Sequence, residues 1–259
     1  MSTSRPTAQD RLLDLLEAGK EPGQSRDFVD LLGESAQAGP PTGLAQRLMR
    51  TSVVPTIYEH YWRPALGRIA KGLSGPSMAG EVDIAVNLLG LKPGGSSLDV
   101  ACGTGRFTRA FGEVVGPDGL SAGLDGSRTM LTKAVATTGP VSVAYLRADA
   151  VSLPFRTSTM DAVCCFAALH MFADPDAALD SFTSVLKPGG RVALLTSARR
   201  TWQPAHTVDT FGGAFSGQRM FDRGEIADKL RDRGFTEISE RYAGVTQIVG
   251  GTRGATIAQ

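Results

Sequence analysis

Four residues have types and spacing that suit small-molecule chemistry: Asp99, Gly103, Gly105 and Asp125. They fall within or just after the stretch Ser97-Leu98-Asp99-Val100-Ala101-Cys102-Gly103-Thr104-Gly105-Arg106-Phe107-Thr108-Arg109. Leu98, Val100 and Ala101 read as a buried parallel strand. The two glycines let the backbone turn sharply and leave no Cβ between it and a ligand. A helix over about Gly105–Val115 then offers its free N–H groups and positive dipole end to that turn. Strand, turn and helix together make a nucleotide-type cradle at the carboxyl edge of a sheet. A dinucleotide fingerprint would need a third glycine or alanine where Thr108 stands. Asp99 lies four residues before the first glycine, where a carboxylate would repel a pyrophosphate. The same carboxylate suits a ligand carrying an ammonium and a sulfonium. Asp125 follows Gly105 by twenty residues, a spacing at which an acidic side chain accepts from ribose hydroxyls, although it could also be a plain helix N-cap.

The segment Asp99-Val100-Ala101-Cys102-Gly103-Thr104-Gly105 resembles the first motif of class I S-adenosylmethionine-dependent methyltransferases, and further motifs follow in the family's order. Asp125-Gly126-Ser127-Arg128-Thr129-Met130-Leu131 is similar to its D-x-S-x-x-M-L, and Asp149 to Phe155 resembles its D-A-x-x-L-P-F. The resemblance implies S-adenosyl-L-methionine as cofactor. It implies Asp99, Ala101, Gly103 and Gly105 in the cradle, Asp125 on the ribose and Gly126 and Met130 beside the adenine. It also implies Asp149 and the Ala150 N–H on the adenine edge, with Phe166 at the end of the fourth strand. Tyr58, Tyr61 and Trp62 would wall the cofactor or substrate pocket, or else anchor the N-terminal extension to the sheet. Tyr58-Glu59-His60-Tyr61-Trp62-Arg63 is similar to a pattern in an uncharacterised actinobacterial and plant-plastid group, related to quinone-biosynthesis methyltransferases.

Methyl transfer from a sulfonium releases a neutral thioether, so the leaving group needs no acid. Positioning the nucleophile dominates, with a base where the acceptor is a hydroxyl or carbon acid. That chemistry needs no triad and no metal. His170 follows the fourth strand beside the expected methyl position and is the first candidate base; an imidazole tied to backbone behind the cofactor is the alternative. His206, near Asp209, is the second candidate, and His60 reads as cap packing.

The elements that must position these residues follow from pattern. Helices are expected over Arg11–Ala18, Met78–Leu89 and Phe221–Arg233, with another turn or two at Phe28–Leu32. Strands are expected over Leu120–Leu124, Val141–Arg147, Met160–Phe166, Arg191–Thr196, Thr236–Tyr242 and Val245–Val249. Asp174-Pro175 reads as a helix start. The expected fold is α/β, a seven-stranded Rossmann-like class I methyltransferase sheet in the family's order 3-2-1-4-5-7-6 with strand 7 antiparallel. Residues 1–72 would be an N-terminal helical extension and cap, loosely packed over 1–50, and 73–259 the catalytic domain with a lid insertion at 197–221.

A net charge of +1 gives no whole-chain argument for nucleic acid or an anionic membrane, and no apolar run approaches the roughly 20 residues of a membrane helix. The polar first ten residues lack a secretory core, and three cysteines without C-x-x-C or Cys/His spacing predict neither disulfide nor zinc. A reducing cytoplasm fits these features best, while the resemblance, with an apolar, aromatic lid and no basic patch, implies a small, partly apolar metabolite as acceptor and a monomer or homodimer. The rival readings are a cyclase or other tailoring enzyme that keeps the cofactor without methyl transfer, a nicotinamide-dependent oxidoreductase, and a binding-only regulator.

Overall fold

The computed structural model describes residues 5–20, 23, 27–33, 76–201 and 219–255. Its elements in chain order are α1 (Ala8–Leu13), β1 (Val29–Asp30), α2 (Met78–Leu89), β2 (Ser96–Val100), α3 (Arg106–Val115), β3 (Leu120–Asp125) and α4 (Arg128–Val135). There follow β4 (Val143–Arg147), β5 (Met160–Phe166), α5 (Pro175–Val185), β6 (Leu186–Ser197), α6 (Glu225–Asp232), β7 (Phe235–Ala243) and β8 (Thr246–Arg253). A 3-10 turn, Leu169–Met171, stands between β5 and α5.

One sheet runs β1-β4-β3-β2-β5-β6-β8-β7. Six strands are parallel, β8 is antiparallel to β6, and β7 is antiparallel to β8. Leaving out β1, the order is the expected one, with the penultimate strand in space reversed. The correction is the eighth strand. Phe28–Leu32 was expected to be helical; instead Val29 and Asp30 pair in parallel with Leu146 and Arg147. The Leu31 N–H continues the ladder to the Arg147 carbonyl at 2.9 Å. Two buried residues on a sheet edge gain more from ladder bonds than from an isolated helical turn.

The period-2 alternation of the strands feeds two cores. On one face, Leu98, Val100, Leu124, Leu146, Val163 and Cys165 pack with α1, α5 and α6. On the other, Cys164 and Phe166 pack with α2 and α3, while Tyr145 meets α4 through Leu131 and Ala134. Adjacent Cys164 and Cys165 therefore face opposite ways, and neither forms a disulfide.

Loose packing of the N-terminal region does not hold for its described parts. Ala8, Leu12 and Leu16 are buried in the first core. A Thr7/Asp10 capping box begins α1 earlier than expected. Leu16 then leaves the helix to bridge Phe155, which ends it before Ala18. The boundary at residue 72 lies outside the described residues. Other ends shift by a few residues. Val141 is 75% exposed and β4 begins two residues later. α6 starts at Glu225, whose carboxylate takes the Asp222 N–H at 2.9 Å.

α3 is tied to the sheet by polar bonds from buried serines. Ser121 Oγ donates to the Thr108 carbonyl at 2.7 Å, and Ser142 Oγ to the Gly112 carbonyl at 2.8 Å. Gly112 permits this approach, since a Cβ there would lie 2.6 Å from Val143 Cγ2. α3 carries the glycine turn at its N-terminus, so this contact fixes the height of the cradle above the sheet.

Candidate functional site

β2 leads to β3 on one side while β5 lies on its other side, so the order in which strands are added to the sheet reverses between β2 and β5. The crevice beyond their carboxyl ends is where ligands bind in open α/β sheets. Both strands leave through a left-handed alanine, Ala101 at φ 58° and Ala167 at φ 61°. Such residues are strained by about 1–3 kcal/mol each and concentrate at functional sites.

The turn itself is Cys102 to Gly105. Gly103 and Gly105 have φ 57° and 75°, and Gly105 is the N-cap of α3, which has no side-chain cap. Its first N–H groups are donors of the kind a ligand or water satisfies. A Cβ on Gly105 would overlap the Tyr145 hydroxyl and come within 2.8 Å of its ring. Tyr145 thus props the turn from below. Arg109 Nη1 joins the Tyr145 hydroxyl at 3.2 Å to the Thr104 carbonyl at 2.8 Å, clasping the turn from the side.

Asp99 and Asp125 have different tasks. Asp99 is 2% exposed, beneath the turn, and accepts from Thr108 Oγ1 at 2.6 Å. That bond ties the end of β2 to α3. Asp125 is half-buried at the end of β3. Its Oδ2 accepts the Gly103 N–H at 2.9 Å and its Oδ1 the Ser127 N–H at 2.8 Å. The first bond aims the carboxylate across the glycine turn. The second joins it to the loop before α4, whose N-cap is Ser127 and not Asp125. Burial, then the charges of Asp99 and Asp125, push the Cys102 thiol well above its usual range.

The other sequence-expected residues that the structure describes lie at or beyond the carboxyl ends of β3, β4 and β5. Gly126 is half-exposed, its carbonyl accepting from Arg147 Nε at 3.1 Å, and the Met130 side chain is buried in the first turn of α4. Asp149 is exposed and closes an Asx turn with the Val151 N–H at 2.9 Å, leaving Ala150 half-buried. The Phe166 ring points beneath the crevice against Phe107, 5.0 Å between centroids. His170 is half-buried in the 3-10 turn, with Nδ1 3.4 Å from Thr196 Oγ1, and burial lowers its pKa to about 4. Its imidazole is neutral at pH 7. Tyr58, His60, Tyr61, Trp62, His206 and Asp209 lie outside the described residues. No group of three or more metal-ligating side chains exists among the described residues.

Sequence reasoning missed Tyr145, Arg109 and the positive role of Thr108. Thr108 entered only as a missing glycine. The available signal was a hydroxyl between Phe107 and Phe111, on the apolar face of α3, one helical turn from the end of an acidic strand.

Part of this architecture matches a known family. Residues 98–194 match the methyltransferase domain family. The match runs from β2 into β6 and includes the glycine turn, Asp125, Asp149 and His170. A demethylmenaquinone methyltransferase of Bacillus cytotoxicus is 36% identical over 119 residues, 45% of this chain and 50% of that protein. An uncharacterised chloroplastic methyltransferase of Arabidopsis thaliana is 34% identical over 158 residues, 58% of this chain and 43% of that protein. The chain spans about half the length of the curated relatives it matches. A Haemonchus contortus phosphoethanolamine N-methyltransferase, solved with S-adenosylhomocysteine, superposes with TM-score 0.65 at 15% identity over 81% of this chain and 59% of that one. The fold is therefore that of the class I methyltransferases, with the β1 edge strand added.

The residues around this crevice fit S-adenosylmethionine. The site combines helix N–H groups that no side chain caps with the Asp125 carboxylate and the buried Asp99 carboxylate. That combination suits a ribose and a cationic sulfonium, and it opposes the pyrophosphate of a dinucleotide.

Proposed function

We propose that the protein is an S-adenosylmethionine-dependent methyltransferase acting on a small, partly apolar metabolite. The observation that carries this reading is the pair of carboxylates, Asp99 and Asp125, around an uncapped helix N-terminus at the sheet's switch point. S-adenosylmethionine, when bound, supplies a methyl group on a cationic sulfur. The chain's own residues do the rest. Asp125 orients the ribose hydroxyls, and Gly103 and Gly105 let backbone N–H groups approach. Gly126, Met130, Asp149 and Ala150 form the adenine end, and Ala101 shapes the floor. Phe166 supports the crevice through Phe107. His170, neutral at pH 7, takes a proton from a hydroxyl or carbon acid or orients the acceptor. Tyr58 and His206 belong to the cap and lid in this reading.

The B. cytotoxicus relative's name concerns a demethylated menaquinone, which favours a quinone-like acceptor over a nucleic acid or protein. No described helix is long and apolar enough to cross a membrane. Three buried free thiols support a reducing compartment such as the cytoplasm. Monomer and homodimer both fit. Titration calorimetry tests the cofactor: S-adenosylhomocysteine should bind and NAD should not. A panel of demethylated quinones and phenols should then give a product heavier by one methylene in mass spectrometry. NAD binding in preference to S-adenosylhomocysteine would overturn the reading, and cofactor binding with a rearranged, unmethylated product would identify the cyclase alternative instead.

A further inference from the structure

We propose that Asp30, on the added edge strand, is a positioning residue for the cofactor site. It holds the loop Asp125-Gly126-Ser127 through Arg147 and Arg128, and this inference rests on the cofactor reading above. Asp30 pairs in register with Arg147, and Arg147 with Asp125, so the three stand in one row at the carboxyl ends of β1, β4 and β3. The row alternates minus, plus, minus. Asp30 is 3% exposed and Arg147 6%. Arg147 Nη1 lies 3.3 Å from both Asp30 oxygens and donates to the Gly33 carbonyl at 2.7 Å, while its Nε donates to the Gly126 carbonyl. Arg128, first residue of α4, donates to Asp30 Oδ2 at 2.6 Å. Leu32 and Gly33 N–H groups complete the carboxylate's shell at 3.0 and 3.2 Å.

One buried carboxylate therefore restrains both sides of the loop that follows β3: Arg128 where the loop enters α4, and Arg147, which grips the Gly126 carbonyl. Without the Asp30 charge, the buried Arg147 cation has Asp125 as its neighbouring carboxylate in the row. Attraction between them would turn Asp125 away from the Gly103 N–H and release Gly126. The N-terminal strand thus does for the adenosine end what Tyr145 does for the glycine turn.

The test measures S-adenosylhomocysteine affinity of the full chain by calorimetry, with thermal midpoints in parallel. Asp30→Asn should weaken binding roughly ten-fold, and in an Asp125→Asn background the same change should have under two-fold effect, because its action passes through that loop. Asp176→Asn, which breaks a remote pair with Lys229 and Arg233, should lower the midpoint without changing affinity. Should Asp30→Asn fail to fold, Arg128→Gln, at a half-exposed position, decides the matter with an expected three-fold loss. Unchanged affinity in Asp30→Asn, or full additivity with Asp125→Asn, overturns the proposal while leaving the cofactor reading intact. Failure of the unaltered chain to bind overturns both.

Discussion

Thr108 shows at the scale of a residue how a departure from one nucleotide motif completes another arrangement. Its hydroxyl donates to a carboxylate that is almost wholly buried. Replacing it with valine keeps the shape and deprives Asp99 of a charge-assisted hydrogen bond, which costs about 1.5–3 kcal/mol. Thr108→Ser should recover most of that loss in urea unfolding, and equal midpoints for the valine and serine variants would contradict the account. His170 gives a pH-dependent counterpart. An unfolded chain protonates this histidine near its ordinary 6.5, the folded chain only near about 4. The unfolded state therefore binds more protons across that window, so the contribution to stability is complete above pH 6.5 and is lost as pH falls to about 4. His170→Gln should flatten the fall in urea midpoint between those pH values. If His170 also serves as base, the acid limb of the rate profile in the free enzyme falls near 4 rather than 6.5.

At the scale of elements, the height of α3 over β3 and β4 is set by small residues as much as by apolar ones. A Cβ on Gly123 would meet Thr108 Oγ1 and the Tyr145 ring, each at 2.8 Å. Gly123→Ala should therefore destabilise by about 1–3 kcal/mol and weaken cofactor binding together, because α3 must rise and carry the glycine turn with it. A loss of stability with unchanged affinity would separate the two effects and refute that link. This contact explains what the sequence made legible and what it did not. Strands β2 to β6 are largely buried, and local signals sit at the exits of several of them, the glycine turn after β2, Asp125 at the end of β3 and Asp149 just beyond β4, so the cradle, Asp125 and the helix start at Asp174 could be read directly. The interlock of Gly123, Thr108 and Tyr145 joins three segments, and neither periodicity nor spacing encodes such a contact. Val29 and Asp30 failed for a related reason: two residues carry no alternation, and only their pairing with Leu146 and Arg147 makes them a strand.

For the molecule as a whole, the described N-terminal residues, among them α1 and β1, are part of the sheet and core. Leu12, Leu16 and Val29 bury their side chains in the same core as Leu124, Leu146 and Phe155. Arg156 adds a hydrogen bond to the Asp14 carbonyl, and the Glu17 N–H reaches the Pro154 carbonyl at 3.0 Å. Full burial of side chains of this size is worth roughly 1.5–3 kcal/mol each. Losing burial on that scale is large beside the net stability of a typical domain, roughly 5–15 kcal/mol. Removing residues 1–33 would expose that apolar face, open the β4 edge to pairing with other chains and strand Arg147 without Asp30. The shortened chain is expected to aggregate or to lose its cooperative thermal transition, whereas removal of residues 1–6, which precede the capping box, should leave both intact. Size-exclusion chromatography and a circular-dichroism melt distinguish the outcomes. A monomeric chain lacking residues 1–33, melting within a few degrees of the full-length protein, would show that the edge strand and α1 only decorate a core that folds without them.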